Sequence, residues 1–215
     1  MQILTHPAQL QRLEGILRKS LPLALPVFGA VLNISRGNPG QFEVLVDKWP
    51  EFGAWEVLGR DLGVLGSTVA GFGGAGVHRG IALLGSLGAG SWGALGLDLG
   101  VLGARLGYWA HWKQGPAPGV RVGSLQPSHV DLLNATWPYG GNARSRRYLA
   151  GILGRFPQVC LQDGGGQPVA WVLTDHFGTG THSYTLPEQR RRGHMQVALT
   201  VAAQRAQARG FPTFG

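Results

Sequence analysis

The stretch that most constrains the fold is Thr185-Leu186-Pro187-Glu188-Gln189-Arg190-Arg191-Arg192-Gly193-His194-Met195. It reads as the end of a strand, a short turn dense in positive charge with one glycine, and the first turn of an alanine-rich helix. The junction suits an anion. The first N–H groups of a helix have no intrahelical partner, and the macrodipole adds partial positive charge at the same end. Gly193 lets the backbone come close, where a side chain would hold a phosphate away.

The net charge agrees with an anionic partner. Nineteen Lys and Arg against eleven Asp and Glu leave +8. The excess lies in Arg144/Arg146/Arg147, Arg190 to Arg192, and Arg205/Arg209. Solvated helix faces account for the first and third clusters as well as binding does. They account less naturally for three arginines beside a glycine at a helix start. Cys160, alone in the chain, excludes an intramolecular disulfide and sits in the apolar run Val159-Cys160-Leu161, as a core thiol would. Met1 to Leu10 shows no long apolar segment and no Arg/Ser-rich leader, so no targeting signal is evident.

Taken in order, Pro7 to Lys19 has helical spacing of Leu10, Leu13, Ile16 and Leu17, and Val27 to Ser35 reads as a strand. Arg36 to Gly40 is a turn, and Phe42 to Asp47 a second strand. From Gly59 to Gly107 there are 16 glycines in 49 residues. Residues 58–66 return almost unchanged as 95–103, but two copies do not make a solenoid. The uncharged run Gly80 to Leu97 is barely long enough to span a bilayer and is interrupted by Gly and Ser, so no membrane span is expected. The segment is expected to be poorly ordered or foreign to the fold around it.

After the linker Gln114 to Gly119, regular structure resumes. Val120 to Leu125 reads as a strand, Ser128 caps a short helix through Thr136, and Asn142 caps Ala143 to Arg155. Gln158 to Gln162 and Pro168 to Thr174 flank the hairpin turn Asp163 to Gly166. Thr181 to Leu186 makes the next strand, and Met195 to Arg209 the last helix, stopped by Gly210.

This order of elements and the spacing Arg190-x-x-Gly193-x-Met195 resemble the core and the Q/R-x-x-G-x-G/A signature of GCN5-related N-acyltransferases. More specifically, the chain resembles the glycine N-acyltransferase family, on Phe28 to Pro39, Val46 to Phe52, Asp131 to Trp137 with Gly140-Gly141-Asn142, and Tyr184 to Gly193 with Arg209 to Pro212. The resemblance implies a partial N-terminal α/β domain (1–54), an atypical Gly-rich insert and linker (55–119), and an acyltransferase core (120–215). That core is expected to be incomplete, because the chain stops at Gly215 on entering the expected fifth strand.

The implied reaction transfers an acyl group from a coenzyme A thioester to the amine of glycine. The alternative is an inactive family member that at most binds coenzyme A. Coenzyme A is expected as co-substrate, held by Leu186 backbone contacts, Arg190, Arg191, Arg192, Gly193, His194 and Met195. The tetrahedral oxyanion is expected at a backbone N–H near Tyr184 to Leu186. Some glycine-conjugating members carry a Glu at the place that Thr179 occupies here. His182 is therefore the candidate base, ahead of Asp175 and His176, because an imidazole titrates near neutrality. The seven histidines lack metal-ligand spacing, so no metal is expected. Tyr139-Gly140-Gly141 lacks a phosphate loop's Lys-Ser/Thr ending and reads as a helix connector. No nucleic-acid partner is expected, since no recognition segment accompanies the charge. The resemblance further suggests a monomer in mitochondria, or in the cytoplasm.

Overall fold

The computed structural model of the protein describes residues 1–21, 24–59 and 115–212, and the backbone of 67–71 and 82–84. The chain divides into two compact units, Met1–Leu95 and Gly96–Gly215, each with its own antiparallel sheet.

In the first unit the strands β1 (Gln2–Leu4), β2 (Phe42–Val46), β3 (Ala54–Gly59), β4 (Ser67–Gly71) and β5 (Ala82–Leu84) lie side by side in that order. Alternation on β2 buries Phe42, Val44 and Val46, and the last two pair with the buried Val57 and Trp55 of β3. Helix α1 (Pro7–Lys19) has the expected bounds and buries Leu10, Leu13 and Leu17 on one stripe, packed against α2 (Leu25–Ser35).

The strand expected over Val27 to Ser35 is instead this helix α2. Its residues Val27 to Asn33 are all buried, so an apolar run with no polar face shows neither a period of two nor one of 3.6. Pro26 at the helix start was the available signal. The turn at 36–40 is present. Gly37 and Asn38 take left-handed φ of 98° and 45°, and the Asn38 side chain bonds both N–H and C=O of Phe42. Of the Gly-rich stretch, β4 and β5 are described as strands and β3 reaches Gly59. The remaining residues on which disorder was expected lie outside the described ones.

The second unit holds the meander β6 (Arg121–Gly123), β7 (Gln158–Gln162), β8 (Pro168–Thr174) and β9 (Gly180–Thr185), hydrogen-bonded in that order. Helix α3 (Val130–Thr136) follows a 3-10 turn, and α4 (Ala143–Arg155) starts at Asn142 as expected. The Asn142 side chain accepts the N–H groups of Arg144 and Ser145, while the Ser145 hydroxyl accepts that of Asn142. Helix α5 (His194–Ala208) packs on β7, β8 and β9.

Central β8 is buried from Pro168 through Leu173, as a strand covered on both faces must be. One face joins Val159, Leu161 and Val172 to Val197 and Ala198 of α5. The other presents Cys160 paired with Trp171, and α4 packs on β8. Burial pushes the Cys160 thiol up to about 12, so it is an inert core group. Among the described residues, no helix is long and apolar enough to cross a membrane.

Candidate functional site

The basic turn closes a cleft of about 390 Å³ between β9 and the start of α5, lined among others by Tyr184, Thr185, Arg190, Arg191, Gly193 and His194. Its floor is a helix end without a side-chain cap. The first helical bond runs from the Val197 N–H to the Gly193 carbonyl, which leaves the N–H groups of His194, Met195 and Gln196 as the helix's orphan donors. Gly193 caps the helix at φ 77°, and Arg191 two residues earlier stands at φ 61°. A Cβ on Gly193 would meet nothing within 4 Å. Glycine is therefore required there by the backbone angle, and the space above it is open to a ligand.

The arginines are held from below. Arg190 donates to the Thr185 carbonyl at 3.2 Å and lies 5.5 Å over the Tyr184 ring, and Arg192 donates to the Gln189 side chain at 3.2 Å. All three are exposed; Arg190 and Arg191 line the cleft, and Arg192 does not. Leu186, by contrast, has both backbone groups engaged. Its N–H donates to Val169 C=O at 3.0 Å and its C=O accepts from Gln189 N–H at 2.9 Å. The contacts expected from Leu186 are thus directed into the fold. Alternation along an antiparallel pair then turns the backbone of Thr185 away from β8, toward the edge that faces the cleft. Of the backbone N–H groups expected at the oxyanion, that of Thr185 is turned to this edge and that of Leu186 is not.

On the opposite face of β9 lies His182. The pairing with β8 steps from Trp171↔Tyr184 to Leu173↔Thr181, so His182 and Ser183 stand against Val172 alone: a β-bulge, with His182 at φ 45°. The side chain is 7% exposed. Its Nε2 lies 2.6 Å from the Leu133 carbonyl, which accepts only if Nε2 carries the proton, so the lone pair is on Nδ1. Burial lowers the pKa and the Leu133 bond pulls it back up. The ring stacks on Trp137 at 6.0 Å and meets Trp171 edge-on at 6.1 Å. Trp137 also stacks on Tyr148, and Trp171 on Tyr184.

The other two base candidates belong to the β8–β9 turn. The Asp175 carboxylate accepts the N–H groups of Phe177 and Thr179. Burial nevertheless raises its pKa to about 7, and its charge helps burial raise that of Tyr148. Burial lowers His176 to about 4, with its ring 3.9 Å from that of Phe177. Among the described residues, no group of three His, Cys, Asp or Glu gathers as a metal site would require.

The model of the aralkyl acyl-CoA:amino acid N-acyltransferase family matches residues 1–60 and 108–157, slightly more than half the chain. The chain belongs to this family. A glycine N-acyltransferase of Bos taurus is 28% identical over an alignment covering 100% of this chain and 88% of the relative. A glycine N-phenylacetyltransferase of the same species is 27% identical, covering 98% and 88%. The mouse glycine N-acyltransferase-like protein Keg1 is 29% identical, covering 95% and 85%. A Drosophila protein solved by X-ray crystallography superposes with a TM-score of 0.64 at 14% identity, covering 97% of this chain and 85% of that one, a likeness of fold. The expected fold class, α/β with an acyltransferase core, is the one found.

Membership of an acyl-CoA:amino acid N-acyltransferase family gives the cleft a co-substrate to match, and its features fit one. Orphan helix N–H groups, exposed arginines and open space over a left-handed glycine suit the diphosphate of an acyl-CoA. The backbone of Tyr184 to Leu186 was among the expected site groups, whereas the Tyr184 ring and the two tryptophans did not emerge from motif reading. Period two along β9 places His182 and Tyr184 on one face, where both rings meet Trp171, but the bulge beside His182 leaves no mark in the sequence.

Proposed function

We propose that this acyltransferase passes the acyl group of a coenzyme A thioester to the amine of glycine. The observation that carries the reading is the uncapped, arginine-rimmed start of α5 beside the free backbone edge of β9. In the proposed step, His182 Nδ1 takes a proton from the ammonium form of the acceptor, directly or through water, and the neutral amine attacks the thioester carbonyl. Thr185 N–H meets the oxygen that gains negative charge. Collapse expels the thiolate while the attacking nitrogen loses its second proton, and that proton goes to the thiolate, leaving coenzyme A and an N-acyl amino acid. Glycine as acceptor is supported by the names of the two bovine relatives, a glycine N-acyltransferase and a glycine N-phenylacetyltransferase.

The test is thiol release from an acyl-CoA, with and without glycine, alongside calorimetric binding. Glycine-dependent release that falls at least tenfold in His182→Gln, with acyl-CoA affinity kept, is expected. In the wild type, kcat/KM should fall on the acid side, below the ordinary imidazole pKa, because burial lowers that of His182. His182→Gln should lose that limb. Binding without glycine-dependent release would remove glycine as acceptor. An unchanged pH profile in the variant would remove His182 as base.

A further inference from the structure

His194 is the first residue of α5, lines the cleft, and is 2% exposed. Neither of its ring nitrogens has a hydrogen-bond partner. A buried imidazole in that state has given up water on both sides without compensation, which native structures rarely tolerate outside functional sites. Side chains tilt toward the N-terminus of a helix, so the ring leans to the end where the orphan N–H groups converge. A second unpartnered buried polar atom, Thr185 Oγ1, belongs to another residue lining the same cleft. We propose that His194 is a proton-linked anion ligand: when a diphosphate enters the cleft, the imidazole takes one proton from solvent and the imidazolium pairs with the anion. The proposal rests on the coenzyme A reading of the cleft and adds to it a residue role and a pH dependence.

The charges around the ring favour this switch. In the free protein, burial first and the Arg192 charge second hold the imidazole pKa below its ordinary value. Arg190 and Arg191 in the same turn and the positive end of α5 act in the same direction as Arg192. The 3-10 turn carries one acid, exposed Glu188. Of the strands packed on α5, β7 offers only Cys160 and β8 no titratable side chain, while β9 carries His182 on the aromatic face and Tyr184, which also lines the cleft. No carboxylate on those strands therefore stabilises the imidazolium before a ligand arrives. An entering diphosphate supplies that negative charge. The bound-state pKa lies above the free one, so the gain in affinity is complete below the free pKa and lost as pH rises through the bound pKa. Each unit of separation is worth about tenfold in Kd.

Dephospho-coenzyme A is the probe of choice, because its diphosphate is a diester with no ionisation of its own near neutrality. Titration calorimetry of the full chain near neutral pH, in two buffers of different ionisation enthalpy, counts protons taken up. The expected result is uptake of up to one proton per site in the wild type, and none in His194→Asn although the ligand still binds. Binding with equal heats in both buffers would overturn the proposal, as would uptake that persists in His194→Asn. Should that variant not fold, the ring resonance of His194 in the wild type, titrated with and without ligand, decides. A pKa that does not rise on binding overturns the assignment. Absence of any binding removes the coenzyme A reading and the proposal with it, an outcome distinct from binding without proton uptake.

Discussion

Two residues of the second unit carry consequences out of proportion to their size. Gly193 stands at φ 77° with open space where a Cβ would lie. Gly193→Ala should therefore cost about 1–2 kcal/mol of stability from the backbone angle alone. It should also weaken acyl-CoA binding, because the methyl group enters the anion's approach. Denaturant unfolding and calorimetry measure the two effects separately, and an unchanged Kd would show that the anion does not approach over Gly193. Asp175 acts through pH. Its carboxyl titrates at about 7 in the folded protein against an ordinary 3.8, so the native state binds more protons than the unfolded chain between those values. Its contribution to stability therefore declines as pH rises from about 4 to about 7. In Asp175→Asn the amide oxygen still accepts the Phe177 and Thr179 N–H groups and does not titrate. The melting temperature of the wild type should accordingly fall relative to the variant across that window. A constant difference would mean that Asp175 titrates normally.

At the scale of elements, the connector between α3 and α4 sets where Trp137 and Tyr148 sit beneath His182. A Cβ on Gly140 would lie 2.0 Å from the Asn134 carbonyl oxygen and 3.0 Å from that of Trp137. Both obstacles are backbone and cannot rotate away, so Gly140→Ala should cost about 1–3 kcal/mol and lower kcat along with stability. Gly154, exposed within α4 with nothing near its Cβ, is the control. Gly154→Ala should stabilise by about 0.5–1 kcal/mol, and equal effects of the two changes would refute the steric account. The same elements show what a sequence discloses. The bounds of α1, α4, β7 and β8 were legible because caps, prolines and periodicity agreed at each end. Helix α2 was not, since Val27 to Leu32 is apolar throughout and burial on all sides erases the period. The tautomer of His182 was not legible either, because it depends on the Leu133 carbonyl, 49 residues away in sequence. The strand-to-helix junction that lines the cleft was readable because it is local, a strand end and a helix start joined by eight residues. The aromatic face needs the pairing of β8 with β9, which only the fold supplies.

For the molecule as a whole, the net charge of +8 raises a choice between a diffuse field and a localised site. A diffuse field would draw any polyanion, and its effect would depend on total charge wherever the arginines stand. A localised site concentrates the effect in the turn of Arg190, Arg191 and Arg192, of which the first two line the cleft, beside helix N–H groups whose contribution does not require a side-chain charge. The two predict different salt responses. Ion pairing at the cleft makes log Kd for an acyl-CoA rise with log salt, because the exposed guanidinium groups are screened within a Debye length of about 8 Å at physiological ionic strength. Changing Arg190, Arg191 and Arg192 together to alanine should weaken binding at low salt and flatten that slope. Changing Arg144, Arg146 and Arg147 on α4 removes the same formal charge and should leave the slope nearly as steep. Calorimetric Kd values at several salt concentrations distinguish the two. Equal flattening by both triple changes would mean that the protein attracts its anionic co-substrate through total charge, and that the turn before α5 has no special part in holding it.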